Sequence, residues 1–280
     1  MHLKRYLMVA ILMVAAVSTI LSPTTYACES SSVGSVLSPY WPSAIRRWES
    51  IIRQEAERRR LDPDLIAAVM WKESRGDAKA VSPVGAVGLM MVMPFEWRPS
   101  PEQLQNPWTN VFWGTRVLST TISDGNGDLY YALAAYNGSW EKVDRESTRR
   151  YAGGVLDCYT RALAVRHGFA PDGDWIAIIA AVNDSGPRTL TVLGPQRPLA
   201  RYTDRPWGQA EIPQIPDNVM PHATAASYTL GNGGEGRVYV WFVADDGTPL
   251  VSPLAEGRAG GTTHTMDVAR NLGVADNPVP

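Results

Sequence analysis

Glu73 ends an apolar stripe, where a charged carboxylate is out of place. Leu65, Ile66, Val69 and Met70 repeat at helical spacing, and Ile66, Val69, Met70 and Glu73 fall on one face. That face predicts burial, and Glu73 lies in the helix's last turn, at the negative end of its dipole, so both effects favour the protonated acid. A free glutamate titrates near ~4.3, whereas general acids in apolar pockets reach roughly 6. Lys72 and Arg75 are close in sequence, yet on an ideal helix they point about 100 degrees or more away from Glu73. The expectation is a carboxyl that keeps its proton near neutral pH, the property a general acid needs.

The helix that positions Glu73 is marked at both ends. Asp62 reads as its N-cap, Pro63 as its first residue and Gly76 as its C-terminal stop. Earlier, Trp48, Ile51, Ile52 and Glu55 lie at helical intervals, and Arg58 to Arg60 read as the solvated end of that helix. Further helices are predicted around residues 109–121, 129–135 and 148–166. The run Asp124-Gly125-Asn126-Gly127-Asp128 lacks the later bidentate glutamate of a calcium loop and reads as a turn.

At 280 residues, with 45% apolar and 19% charged residues, the chain can bury a sizeable core, and its length favours two domains. A net charge of -2 gives no nucleic-acid surface. The four histidines, His2, His167, His222 and His264, are scattered without metal-ligand spacing, and no cofactor is expected. His2, Lys4 and Arg5 precede an apolar run from Tyr6 to Leu21, with a cleavage site after Ala27, the pattern of a secretory signal over residues 1–27. Residues 28–40 read as a small, polar linker. Cys28 and Cys158 are the only cysteines. In an oxidising compartment they could pair as a disulfide, and Cys28 alone could equally carry a lipid anchor.

After Gly168 the signals turn to strands. Residues 175–182 form a short apolar run, 189–193 lean to β, and 237–244 (RVYVWFVA), followed by Asp246-Gly247, suggest a hairpin. Repeated prolines between Pro195 and Pro221 predict an irregular connection. The expected fold class is α+β: a mainly α-helical domain over 41–168 and a smaller β-rich domain over 169–280, drawn as a sandwich or barrel. Trp175, Trp207, Tyr239 and Trp241 could present a sugar-stacking face there, with core packing the more ordinary reading.

The segment from Leu61, LDPDLIAAVMWKESRGDAKAVSPVGAVGLMMVMP, resembles the core motif of the soluble lytic transglycosylases, peptidoglycan-cleaving relatives of goose-type lysozyme. It pairs Glu73-Ser74 at a helix end with Gly85, Gly88, Leu89, Met90, Met93 and Pro94 in family order. ALAAYNGS (132–139) and ESTRRYAGGV (146–155) resemble the Ala-Tyr-Asn and closing Thr-Arg-x-Tyr elements, and NPWTNVFWGTRVLS (106–119) resembles the helix that braces the groove. The resemblance covers residues 41–167.

That resemblance implies a lysozyme-like catalytic domain, Glu73 as catalytic acid, and Ser74, Gly88, Leu89, Met90, Met91, Tyr136, Asn137 and Tyr151 around the substrate. By position, Tyr136 or Tyr151 could steady Glu73, Ser74 could shape the turn, Asn137 could cap its helix, and Gly85 and Gly88 could let the backbone approach a sugar. Met91 departs from the family, which places a glutamine there; a thioether cannot donate a hydrogen bond. No second carboxylate occupies a comparably apolar position, which favours a single acid. The implied reaction cleaves the bond between N-acetylmuramic acid and N-acetylglucosamine in peptidoglycan strands to a 1,6-anhydro sugar, in the envelope or surroundings of a bacterium. A goose-type hydrolase and a non-catalytic peptidoglycan-binding scaffold remain the alternatives.

Overall fold

The computed structural model describes residues 34–184, 186–203 and 223–244, together with 248 and 250. Residues 1–27, Cys28, Trp207 and the turn at Asp246-Gly247 lie outside them. In chain order the elements are α1 (Ser43–Arg46), α2 (Glu49–Arg59), α3 (Pro63–Ser74), α4 (Pro101–Leu104), α5 (Pro107–Asp124), α6 (Leu129–Gly138), a 3-10 turn (Trp140–Lys142) and α7 (Glu146–Arg166). Five strands follow: β1 (Ile176–Asn183), β2 (Gly186–Gly194), β3 (Arg197–Thr203), β4 (Ala223–Thr229) and β5 (Glu235–Val243).

Helix α3 is buried from Asp64 to Met70 and forms the centre of the helical layer. Its start follows the expected chemistry: Asp62 stays extended, its side chain accepts from the Asp64 N–H, and Pro63 opens the first turn. The stop is shared between two residues. Arg75 is left-handed at φ 57, and Gly76 follows at φ 83. The Gly76 carbonyl accepts from Arg47 Nη2 at 2.6 Å and Trp48 Nε1 at 3.0 Å, which fixes the exit of the chain. Asp64, wholly buried, accepts from the Ser38 N–H (2.9 Å) and Trp41 Nε1 (2.8 Å) and pairs with Arg166. Residues 35–40, expected to close a linker, are therefore packed: Leu37 is buried, and the Ser38 hydroxyl donates to the Ala162 carbonyl at 2.6 Å.

Short caps set the other helices. Asn106 accepts from the Thr109 N–H, with Pro107 opening α5; Asp128 accepts from the Tyr131 N–H to open α6. Asp128 also pairs with Arg201 on β3, so the 124–128 turn spends a carboxylate on capping and on an ion pair. The basic run 58–60 is solvated at Arg58 and Arg60, as expected, and half-buried at Arg59. Arg58 and Arg59 pair with the buried Glu55 at 3.2 and 3.8 Å, and Arg60 with Glu235 at 2.7 Å.

All strand pairs are antiparallel, in the order β3-β2-β1-β5-β4. Among the described residues this is one sheet lying on the helices, where a sandwich or barrel was expected. The reason lies in β1. Ala177 and Ile179 join the helical core, while Ile176, Ile178 and Ala180 join a second apolar cluster with Trp241 and Val243 on the opposite face. A strand apolar on both faces predicts a layer on each side. β3 runs through the proline-rich stretch; it is an edge strand, so Pro198 interrupts no central ladder. Trp175 and Trp241 are buried, which removes them as a stacking face, and Tyr239 is half-buried.

The far edge of the sheet reaches back to α3. The Asp62 N–H donates to the Ala225 carbonyl at 2.7 Å, and the Ser227 N–H to the Arg60 carbonyl at 3.0 Å. Ser123 adds a hydroxyl bond to the Thr229 carbonyl at 2.9 Å. The helices and the sheet thus form one compact unit beginning at Ser35.

Candidate functional site

Three elements converge on Glu73. The carboxyl projects from the last turn of α3, half-buried, and Tyr151 in the second turn of α7 donates its hydroxyl to Glu73 Oε1 at 2.6 Å. Burial raises the Glu73 pKa to about 7, with the Tyr151 bond pulling it down. Neither Lys72 nor Arg75 nor any second carboxylate contributes. Arg75 stacks on Trp71 at 4.3 Å, and Lys72 lies over Gly154 on α7.

Tyr136, in the last turns of α6, sits close enough for its phenol to be raised by burial and by the Glu73 charge. Its hydroxyl is taken by the Met90 carbonyl at 2.8 Å, so Tyr151 alone holds the acid. The Tyr151 phenol is also raised well above its usual range, by burial first and then by Glu73, so it stays a donor at any working pH. Tyr151→Phe removes a donor that favours the carboxylate, so the Glu73 pKa should rise further. The expected outcome is an alkaline limb of the pH–rate profile displaced upward, measured on the variant and the parent in one buffer series.

The loop after α3 forms the floor beside the acid. Reciprocal backbone bonds between Val87 and Val92, each 3.0 Å, close a tight turn around Gly88 to Met91. Gly88 has φ 80, and a Cβ there would lie 2.3 Å from Asn110 Nδ2 and 2.8 Å from the Leu104 carbonyl oxygen. The close approach of Asn110 on α5 requires the glycine. Asn110 itself is buried and satisfied: Oδ1 accepts from the Met90 N–H at 2.8 Å, and Nδ2 donates to the Val87 and Leu104 carbonyls at 2.7 and 2.9 Å. Only its place in a family-like block hinted at this, since a lone asparagine in a helix carries no signal of its own.

The remaining predicted residues divide. Ser74 is buried, donating to the Leu89 carbonyl at 2.8 Å and accepting from the Gly76 N–H at 3.1 Å, so it ties the helix end to the floor. Leu89 and Met90 are 0% exposed, and their carbonyls accept from the Ser74 and Tyr136 hydroxyls. Met91 is half-buried with φ 46, and Asn137 is exposed within the last turn of α6, where the cap position falls to Ser139. Gly85 has open space where a Cβ would be, with φ 86. Cys158 is a free, half-buried thiol, so the structure gives no support for the disulfide; Cys28 lies outside the described residues.

A carboxyl protonated by burial, steadied by one phenol and unaccompanied by a second acid, is equipped for general-acid chemistry. The family model for the transglycosylase SLT domain matches residues 50–155, which include Glu73, Tyr136 and Tyr151. A transglycosylase of Enterobacteria phage PRD1 is 34% identical over 40% of this chain and 43% of its own length. The X polypeptide of Escherichia coli K12 is 33% identical over 36% of this chain and 67% of its own. Membrane-bound lytic murein transglycosylase E of Buchnera aphidicola is 31% identical over 45% of this chain and 66% of its own. The 70 kDa soluble lytic transglycosylase of Escherichia coli overlays 47% of this chain and 27% of that one, at 23% identity and TM-score 0.39. On the sequence matches, the chain belongs to the SLT transglycosylase family, while spanning less than half the length of the phage relative.

Proposed function

We propose that the protein is a peptidoglycan lytic transglycosylase of the bacterial cell envelope that uses Glu73 alone as acid and then base. The observation that carries this reading is the setting of Glu73, half-buried and held by the Tyr151 hydroxyl at 2.6 Å, where burial raises its pKa to about 7 with no second carboxylate acting on it. In the first step the carboxyl proton passes to the glycosidic oxygen between N-acetylmuramic acid and N-acetylglucosamine, and the bond from that oxygen to the muramic anomeric carbon breaks. The muramic 6-hydroxyl oxygen then bonds to the same carbon, and its proton returns to the Glu73 carboxylate. The acid is regenerated, water is not consumed, and the product is a 1,6-anhydro sugar. Family membership supports the substrate class, and relatives named as membrane-bound murein transglycosylases support the location.

Mass spectrometry of digested cell-wall sacculi tests the reaction. The expected products are anhydro-muropeptides, one water lighter than reducing ones. Reducing ends in their place would make the enzyme a hydrolase, and an absence of cleavage would leave a binding protein.

A further inference from the structure

The chain after the floor loop builds a surface that the acid chemistry does not use. Phe95 and Trp97 are 47% and 67% exposed, large aromatic faces left in solvent. Arg98 lies against both rings, with Cζ 4.9 Å from the Phe95 centroid and 4.5 Å from that of Trp97. Trp97 continues to Trp113 on α5 at 6.2 Å, and Arg116 stacks on Trp113 at 5.0 Å. Three rings and two cations thus share one strip.

The strip adjoins the acid. Arg98 Nη1 donates to the Met93 carbonyl at 3.3 Å, three residues past the Met90 carbonyl that holds Tyr136. The Tyr136 phenol senses both Glu73 and Arg98, so both groups lie near it. Among the described residues no carboxylate pairs with Arg98 or Arg116, and Arg98 Nε finds no protein acceptor. Burial and the neighbouring Arg116 both act against the Arg98 charge, with the Tyr136 phenol opposing them. A partly desolvated guanidinium without an acid is costly. Held against the rings, with Nη1 given to the Met93 carbonyl and Nε buried, the guanidinium keeps Nη2 for a carboxylate.

We propose that Arg98 determines specificity for peptide-bearing glycan, its guanidinium binding a carboxylate of the stem peptide on the muramic sugar while Trp97 packs against the sugar itself. The inference rests on the reading of this site as one that cleaves peptidoglycan. The strands of that polymer carry their negative charge on the stem peptides, so the charge is complementary.

Steady-state cleavage of peptide-bearing strands and of strands stripped of peptide by an amidase tests it, with the parent, Arg98→Gln, Arg98→Lys and Trp97→Ala. The parent should prefer peptide-bearing strands. Arg98→Gln should lose roughly tenfold of that preference in kcat/KM, the size of one charge-assisted bond, and through KM. Arg98→Lys should keep part of the preference, having charge without the fork, and Trp97→Ala should weaken both substrates. Equal losses on both substrates for Arg98→Gln, or a parent with no preference, would overturn the inference and leave the acid chemistry standing. Loss of binding to phosphatidylglycerol vesicles in Arg98→Gln and Trp97→Ala, with the preference intact, would overturn it in favour of a membrane-facing patch. A parent that cleaves neither substrate would remove the proposed function, and this inference with it.

Discussion

Glu73→Gln should abolish strand cleavage, with kcat falling by at least ~10³, while the protein remains folded. Glutamine keeps the shape and can still accept from Tyr151, but it has no proton to give and cannot take one back. The parent should lose activity about tenfold per pH unit above about pH 7, as the acid ionises. The same substitution has a stability signature of opposite sign. Glu73 keeps its proton to about pH 7 when folded and to about 4.5 when unfolded, so the folded state binds more protons across that window. Stability therefore falls as pH rises from 4.5 to about 7 and is flat above. Gln does not ionise, so the variant should gain on the parent by on the order of 2 kcal/mol between pH 5 and pH 8. Asp62, which burial raises to about 6, titrates in both proteins and drops out of the difference. Urea denaturation at the two pH values measures it; a constant difference would mean an ordinary, solvated carboxyl.

Gly88→Ala should destabilise the fold and the floor beside the acid together. The residue sits at φ 80, where an L side chain costs roughly 1–2 kcal/mol. The new methyl would also meet Asn110 Nδ2 at 2.3 Å. Moving that amide breaks bonds to Val87 and Leu104 and frees the Met90 N–H, each a buried group left unsatisfied at about 1–3 kcal/mol. A loss on the order of 3–5 kcal/mol is expected, read as a fall in the urea midpoint. The Met90 carbonyl that fixes Tyr136 would move as well, so activity should fall even in the fraction that folds. Gly85→Ala, with open space at the Cβ, is the control: it carries the φ cost alone.

Much of the helical layer was legible because its signals are local. Asp62-Pro63 and Gly76 bound a helix whose apolar stripe ends on Glu73, and Tyr151 lay in a segment matched as a block. Long-range pairing was not. Nothing near Tyr136 says that its hydroxyl goes to a main-chain oxygen 46 residues earlier rather than to the acid. Leu89 and Met90 stand in a motif, and motif membership does not separate a residue that touches the ligand from one that supports those that do. In the sheet, β4 is ATAASYT, whose three alanines and one serine have weak β preference and no clear alternation, and it pairs with β5 and the Arg60–Asp62 segment. The strip from Phe95 to Trp113 escaped notice because the rings come from two elements and the cation from a third position in the loop.

The bonds between β4 and the backbone of Arg60 to Asp62 bear on the order of assembly. Arg60 meets Glu235, a partner 175 residues further along. During synthesis α3 can nucleate early, but its first turn waits for the C-terminal strands to emerge before its edge is closed. Contacts of such wide sequence separation slow folding. A chain shortened before β4 would thus carry Glu73 on a helix not locked at its base.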